Sequence, residues 1–205
     1  MQSILLLLVL DHLCLGRDTT AQALSWTVFY LITNAGAMEK LLGEIDATLG
    51  DAENPTYDQI KGMKYANAVF HEALRLAPSV PKNLKLCLSD DVLPDGTHIP
   101  KGANILFSTW CMARDKSIWG SDAETFKPER WIDAKIPNQF EYLVFNAGPR
   151  VCLGKTFAEL EGVFALVSIF RNYQVTLSDP KSIIYGNSLT LPMKNGLKCF
   201  ISVRK

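Results

Sequence analysis

Hydrophobic residues recur at helical spacing along the first third of the chain. Residues 3–33 predict one long, largely buried helix, and residues 37–49 predict a shorter amphipathic helix after a break. A capping-box pattern at Thr56-Tyr57-Asp58-Gln59 predicts another helix start. Apolar residues spaced three and four apart over residues 63–77 predict a further helix that ends at Pro78.

The pattern changes in the second half of the chain. Apolar and polar residues alternate between positions 84 and 110, which predicts strands of a small sheet. Residues 116–149 have little regular pattern and predict a long loop, a feature that usually has a function. A helical stripe over residues 155–172 and an alternating pattern within residues 173–205 predict a last helix and C-terminal strands. The predicted fold class is mainly α with a minor β-sheet, in a single domain over residues 1–205.

Composition excludes several classes of function. The 21 basic and 21 acidic residues balance, and no block of like charge favours a nucleic-acid partner. Five cysteines at wide spacing, without a Cys-x-x-Cys pair, argue against a zinc or disulfide partner. The apolar run Ile4–Leu10 is far shorter than the roughly 20 residues that span a bilayer. It also lacks the flanks of a signal peptide, so a buried helix is the better interpretation.

The strongest chemical signal is the sequence FNAGPRVCLG, which begins at Phe145 and ends at Gly154. Gly148 and Gly154 permit turns and a close approach to a flat cofactor, and Phe145 can shield a neighbouring sulfur. Arg150 can pair with an anion such as a haem propionate. Cys152 precedes a helix whose N-terminus favours a thiolate. We therefore predict that Cys152 is the axial ligand of a haem iron. A buried structural cysteine, the alternative, does not account for five agreeing positions.

Three weaker signals accompany this loop. Glu72 and Arg75 lie three apart in an apolar helix, which predicts a buried pair with a fixed geometry. Arg130, in the sequence FKPERW, either joins that pair or is an exposed loop charge. Asp18 and Thr19 are an acid and an alcohol that can relay protons, and the glycine and threonines around them permit a local widening of the helix. An ordinary polar bend is the alternative for this last site.

Taken in chain order, the four signals resemble the cytochrome P450 family of haem-thiolate monooxygenases over essentially the whole chain. The resemblance implies that Cys152 binds the iron of haem b and that its thiolate favours O–O cleavage. Asp18 and Thr19 match the pair that delivers protons to bound dioxygen, and Gly16 matches the residue that opens the oxygen groove. Leu15 departs from the family, because a small residue is usual there and a leucine would crowd the groove.

The resemblance also assigns roles to residues around the haem. Arg150 matches a propionate partner, and Lys85 is expected to be a second one. Ser79 and Val80 match a substrate-contacting segment. The remaining matches form the structural network that holds the haem loop, namely Glu72, Arg75 and Arg130.

The implied activity is insertion of one oxygen atom from dioxygen into a C–H bond of a hydrophobic small molecule. Electrons would come from NADPH through NADPH–cytochrome P450 reductase. The motifs look most like those of fungal alkane and fatty-acid hydroxylases, which predicts a role in secondary or lipid metabolism. An inactive remnant or haem-binding module is the alternative. A haem-thiolate isomerase or dehydratase is a third reading, against which Thr19 argues because such relatives often lack the alcohol.

Members of the family are usually much longer than these 205 residues, and the chain starts within the family's central helix. We therefore expect a truncated member that comprises the C-terminal, haem-loop half of the fold. The helices over the far face of the haem and the membrane anchor would be absent. The resemblance places full-length eukaryotic members on the cytosolic face of the endoplasmic reticulum membrane, and a chain without the anchor is expected in the cytoplasm.

Overall fold

The computed structural model describes residues 2–52, 54–132 and 138–204, with side chains from residue 16 onward. Most of the regular structure there is helical, as the hydrophobic periodicity predicts. The helices are α1 (Gln2–Thr33), α2 (Ala35–Leu49), α3 (Tyr57–Gly62), α4 (Lys64–Leu76), α5 (Thr109–Met112), α6 (Lys116–Trp119) and α7 (Lys155–Asn172). The strands are β1 (Asn83–Leu86), β2 (Asp91–Val92), β3 (His98–Ile99), β4 (Asn104–Phe107), β5 (Tyr173–Leu177) and β6 (Cys199–Val203). The mainly α fold with minor β structure is confirmed.

The strands form three separate antiparallel pairs in the described part of the chain: β1 with β4, β2 with β3, and β5 with β6. The region 84–110 therefore differs from the single small sheet that the alternation predicts. A tight turn at Gly96, whose φ of +87° favours glycine, closes the β2–β3 pair inside the longer β1–β4 pair. The helix α5 then ends the region.

The segment 116–149 is more ordered than its sequence pattern predicts. It contains α6 and short 3-10 turns at Pro128–Trp131, Leu143–Phe145 and Gly148–Arg150, while residues 133–137 lie outside the described residues. Elements of three or four residues are too short to produce a hydrophobic period, which is why the pattern does not show them.

Helix α4 lies at the centre of the fold and packs against α1, α2 and α7. The side chain of its N-cap residue, Met63, makes no capping hydrogen bond. Glu44 of α2 takes that role instead, because its two carboxylate oxygens accept hydrogen bonds from the backbone N–H groups of Tyr65 and Ala66, each at 2.8 Å. The carboxylate satisfies two donors of the first turn and offsets the helix dipole.

Gly162 of α7 lies directly against Phe70 of α4. A Cβ at this position would lie 2.4 Å from two ring atoms of Phe70, a side chain that is 1% exposed. The glycine therefore sets the spacing between the helix that carries Glu72 and the helix that follows Cys152.

The described part of α1 is buried on one face only, so the expectation of a largely buried helix needs correction. Ala23, Trp26 and Leu31 are buried, whereas Gly16 to Asp18 are exposed. The widening expected near Gly16 is also not seen, because the helix is α-helical throughout. Among the described residues, no helix has both the length and the apolar character needed to cross a membrane.

Candidate functional site

Glu72 and Arg75 form a fully buried ion pair one turn apart on α4, and both side chains are 0% exposed. Arg75 Nε and Nη2 donate to the two carboxylate oxygens of Glu72, each at 2.8 Å. The remaining guanidinium donors bind backbone carbonyls of the following segment, those of Ala113, Ala123 and Thr125. A rigid bidentate geometry of this kind suits arginine and holds the segment 113–125 against α4.

Arg130 joins this pair in the structure. Its Nε lies 3.3 Å from Glu72 Oε1, and its other nitrogens bind the carbonyl of Trp119 at 2.9 Å and the carboxylate of Asp122 at 2.7 Å. Hydrogen bonds from Arg130 and then from Lys127 lower the pKa of Asp122 to about 2. Arg130 is therefore part of the network and is not an exposed loop charge.

The indole of Trp131 and the backbone of Lys127 complete the set of donors to Glu72. Trp131 Nε1 donates to Glu72 Oε2 and Lys127 N donates to Glu72 Oε1, each at 2.9 Å. No buried side-chain nitrogen or oxygen in the described residues lacks a hydrogen-bond partner. A buried carboxylate that is surrounded by donors in this way fixes the position of every element that contributes one.

The loop around Cys152 folds back on itself through the backbone. Cys152 N donates to the carbonyl of Phe145 at 2.8 Å, and Cys152 O accepts from Lys155 N at 3.3 Å at the start of α7. Gly148 has a φ of +65°, so this turn requires the left-handed conformation that favours glycine. Gly154, the N-cap of α7, also lies in a turn, as predicted, but its φ of −86° is one that any residue can adopt.

The surface beside Cys152 is apolar and open. Cys152 and Arg150 are exposed, and so are the apolar side chains of Leu153 (88%) and Phe157 (70%). A Cβ at Gly154 would meet no atom of the chain, so the space next to the thiol is free. A thiol, a guanidinium and exposed hydrophobic side chains are the groups that a flat, apolar cofactor with acidic substituents requires. The residues present therefore fit a haem.

The residues of the predicted proton relay lie on the exposed and half-buried part of α1. Asp18 is paired with Arg17, whose Nε donates to its carboxylate at 2.8 Å. The Thr19 hydroxyl lies 3.5 Å from the carbonyl of Gly16. The side chain of Leu15, expected to crowd the oxygen groove, lies outside the described side chains.

The predicted substrate-contacting segment adjoins the same turn of α1. The Ser79 hydroxyl donates to the carbonyl of Thr19 at 2.7 Å, so this hydroxyl ties the segment to α1. The carbonyl of Val80 accepts from the Thr109 hydroxyl at 2.7 Å. Lys85, the second predicted propionate partner, is exposed on β1.

Sequence reasoning missed a cluster next to the Glu72 network. The ring of His71 stacks on Trp131 with centroids 5.2 Å apart, and its nitrogens face Tyr142 and Glu159. A signal was present, because His71 immediately precedes Glu72 and Tyr142 lies three residues before Phe145. A lone histidine in a helix is an uninformative pattern, and only the fold brings these residues together.

Comparison with known proteins gives consistent matches over nearly the whole chain. A model of the cytochrome P450 family matches residues 4–200. Cytochrome P450 monooxygenase cyp1 of Mycosarcoma maydis is 38% identical over 96% of this chain and 34% of its own length. Cytochrome P450 52-E3 of Starmerella bombicola is 38% identical over 90% of this chain and 38% of its own length. Cytochrome P450 86B1 of Arabidopsis thaliana is 38% identical over 89% of this chain and 35% of its own length. The chain thus spans roughly a third of the length of these relatives.

Proposed function

The chain belongs to the cytochrome P450 family, and on that premise we propose that it forms the haem-binding part of a haem-thiolate monooxygenase. The observation that carries the proposal is the setting of Cys152. Its thiol is exposed in an apolar surface, and backbone hydrogen bonds on both sides fix the main chain that carries it. Haem, when bound, supplies the iron at which dioxygen is activated for insertion of one oxygen atom into a C–H bond.

The residues of the loop would divide the binding of haem b among them. Cys152 would bind the iron through its thiolate, and Phe145, Gly148 and Gly154 would form its immediate surroundings. Phe145 is half-buried, with Lys155 Nζ 5.8 Å from its ring centre, so it can shield the sulfur on the protein side. In the same proposal the exposed cations Arg150 and Lys85 bind the propionates.

The Glu72 network would hold the loop in place through the segments on either side of it. Removal of two ions from water costs several kcal/mol unless hydrogen bonds replace the water, and here five N–H groups surround Glu72. Such a network is better suited to fixing a geometry than to adding stability. We assign to Glu72, Arg75 and Arg130 the role of holding the segments on either side of the haem loop.

Proton delivery would begin on α1. Asp18 is exposed, so its carboxyl can exchange protons with solvent, and the neighbouring Thr19 hydroxyl can pass a proton onward. The Ser79 hydroxyl, which binds the Thr19 carbonyl at 2.7 Å, would hold this turn of α1 beside the substrate-contacting residues Ser79 and Val80.

The wider biochemistry of the proposal rests on the properties that the resemblance to the family implies. The substrate would be a hydrophobic small molecule, in fungal lipid or secondary metabolism. Electrons would come from NADPH through NADPH–cytochrome P450 reductase at the cytosolic face of the endoplasmic reticulum. A haem-binding module without catalysis is the second candidate, and Leu15 favours it because a bulky residue replaces the small one that is usual there.

The test is the spectrum of the reduced, carbon-monoxide-bound chain after reconstitution with haem. A thiolate ligand gives a strongly red-shifted Soret band, which we expect in the wild type and not in Cys152→Ser. Cys111→Ser is the matched control, because Cys111 is also an exposed, free thiol and should leave the band unchanged. A wild type without the band, or a Cys152→Ser variant that keeps it, would overturn the proposal. Consumption of NADPH in the presence of the reductase then separates a monooxygenase from a silent haem-binding module.

A further inference from the structure

Backbone hydrogen bonds fix the local shape of the Cys152 loop, and Phe145 at its start packs against the core. Residues 149–153 are exposed, and the backbone hydrogen bonds of Val151 and Cys152 run to Gly148 and Phe145 within the same loop. The position of the thiol relative to α4 therefore depends on the packing of Phe145 and on the two flanks, where the chain enters and leaves the loop.

Tyr142 is the anchor on the entering side. Its ring centre lies 4.7 Å from that of Trp131 and 5.8 Å from that of His71. Its hydroxyl lies 3.2 Å from His71 Nδ1 and 3.3 Å from the His71 carbonyl. Burial raises the pKa of Tyr142 well above its ordinary value, so the hydroxyl keeps its proton and can donate.

Glu159 is the anchor on the leaving side, in the second turn of α7. Its Oε1 lies 3.5 Å from His71 Nε2 and 4.0 Å from Lys155 Nζ. Glu159 is partly removed from water, and this burial raises its pKa. A nearby N–H donor therefore stabilises the carboxyl group in place of water.

The imidazole of His71 touches both anchors at once. Burial, and then the charge of Lys155, lower the pKa of His71 to about 4, so the ring is neutral near pH 7 and carries one N–H. The Tyr142 hydroxyl has one proton, which it can donate either to the His71 carbonyl at 3.3 Å or to Nδ1 at 3.2 Å. In the second arrangement the ring proton lies on Nε2 and points towards Glu159. The same ring stacks on Trp131, whose indole donates to Glu72 at 2.9 Å.

We propose that His71 is a positioning residue for the Cys152 loop. From α4 it contacts both flanks of the loop, Tyr142 on the entering side and Glu159 on the leaving side. The proposal rests on the proposed haem-thiolate function, in which the position of the sulfur decides how it meets the iron. Without the imidazole, the Glu72 network keeps its contact with the entering flank through Trp131, whose ring centre lies 4.7 Å from that of Tyr142, but the link from His71 to Glu159 is lost.

Two measurements on the full chain test this role. Hydrogen exchange of the backbone amides of residues 146–154, without haem, should be about tenfold faster in His71→Leu than in the wild type, the change expected from loss of one hydrogen bond's net stabilisation. In the haem-reconstituted chain, His71→Leu should bind haem but show a smaller share of the red-shifted band per haem. His71→Gln, which keeps a donor and an acceptor, should restore part of both.

Milder variants and a control distinguish a local effect on the loop from general misfolding of the chain. Tyr142→Phe removes one hydroxyl, and Glu159→Gln keeps the shape of the side chain, so each should accelerate loop exchange while global unfolding changes little. His98→Leu is the control, because His98 is exposed on β3. Unchanged loop exchange and an unchanged band in all three cluster variants would overturn the proposal. If the wild type itself lacks the band, the proposed function fails, and the exchange measurement still decides whether His71 orders the loop.

Discussion

Substitution of Gly162 by alanine isolates the contact that sets the spacing between α4 and α7. Carbon atoms in contact normally lie about 3.5–4.0 Å apart. The new Cβ would lie 2.4 Å from Cε2 and Cζ of Phe70 and 3.0 Å from Cδ2. One helix or the ring must therefore move by about 1 Å or more. The Phe70 side chain is 1% exposed and belongs to the hydrophobic core, so the ring cannot move without displacing its neighbours.

The expected free energies follow from two opposing effects. Replacement of a glycine in a helix interior by alanine stabilises the helix by about 1 kcal/mol. Overpacking of a close-packed core typically costs about 1–3 kcal/mol. Gly43→Ala in α2 is the matched control, because a Cβ there meets no atom within 4 Å. Gly43→Ala should therefore raise the free energy of unfolding by about 1 kcal/mol. The free energy of unfolding of Gly162→Ala should be lower than that of Gly43→Ala by about 1–3 kcal/mol.

The assay is chemical denaturation of the chain followed by circular dichroism, with Phe70→Leu added as a third variant. A smaller side chain at position 70 makes room for the new methyl group, so the double variant Gly162→Ala/Phe70→Leu should lose less stability than the sum of the two single changes. Equal stabilisation by Gly162→Ala and Gly43→Ala would refute the reasoning, since it would mean that the two helices separate at no cost.

Three further changes have expected outcomes. Glu44→Ala removes the carboxylate that caps α4 and should lower the free energy of unfolding by about 1–3 kcal/mol in the same denaturation assay, while Glu39→Ala, exposed in the same helix, should have little effect. Arg75→Lys keeps the charge but loses the bidentate geometry of a fully buried pair. We expect the free energy of unfolding to fall by about 3 kcal/mol or more in the same assay, and a fall of less than about 1 kcal/mol would contradict the described network. The pKa of His71 is lowered from 6.5 to about 4 in the folded chain, so the unfolded chain binds the proton first, and stability should fall as the pH is lowered from about 6.5 towards 4. The midpoint temperature of thermal unfolding, plotted against pH over this range, should have a shallower slope for His71→Gln than for the wild type. An unchanged slope would refute the lowered pKa of His71.

The sequence predicts long periodic elements well and short ones poorly. The helices α1, α2 and α4 begin and end within about two residues of their predicted bounds, because their apolar stripes extend over several turns. The capping box at Thr56 is present with both of its hydrogen bonds. The short helix α6 lies in a segment whose pattern predicts a loop, because four residues are too few to show a period.

Some residues of the candidate site can also be predicted from the sequence, and others cannot. Cys152 and Glu72 stand in local motifs that the sequence displays directly. Besides Arg75, the partners of Glu72 come from residues 127–131, more than fifty positions away, and its contact with Trp131 depends on the fold. His71 was missed for the same reason, since its role depends on two flanks that are separated from it by about seventy or more residues.

The most direct test of the account is the identity of the axial atom that the chain gives to the iron. X-ray absorption at the iron edge of the haem-reconstituted chain reports the ligand without need of substrate or reductase. The account predicts one sulfur ligand in the wild type and in Cys111→Ser, and none in Cys152→Ser. An iron with only nitrogen and oxygen ligands in the wild type, or a sulfur ligand that persists in Cys152→Ser, would contradict it.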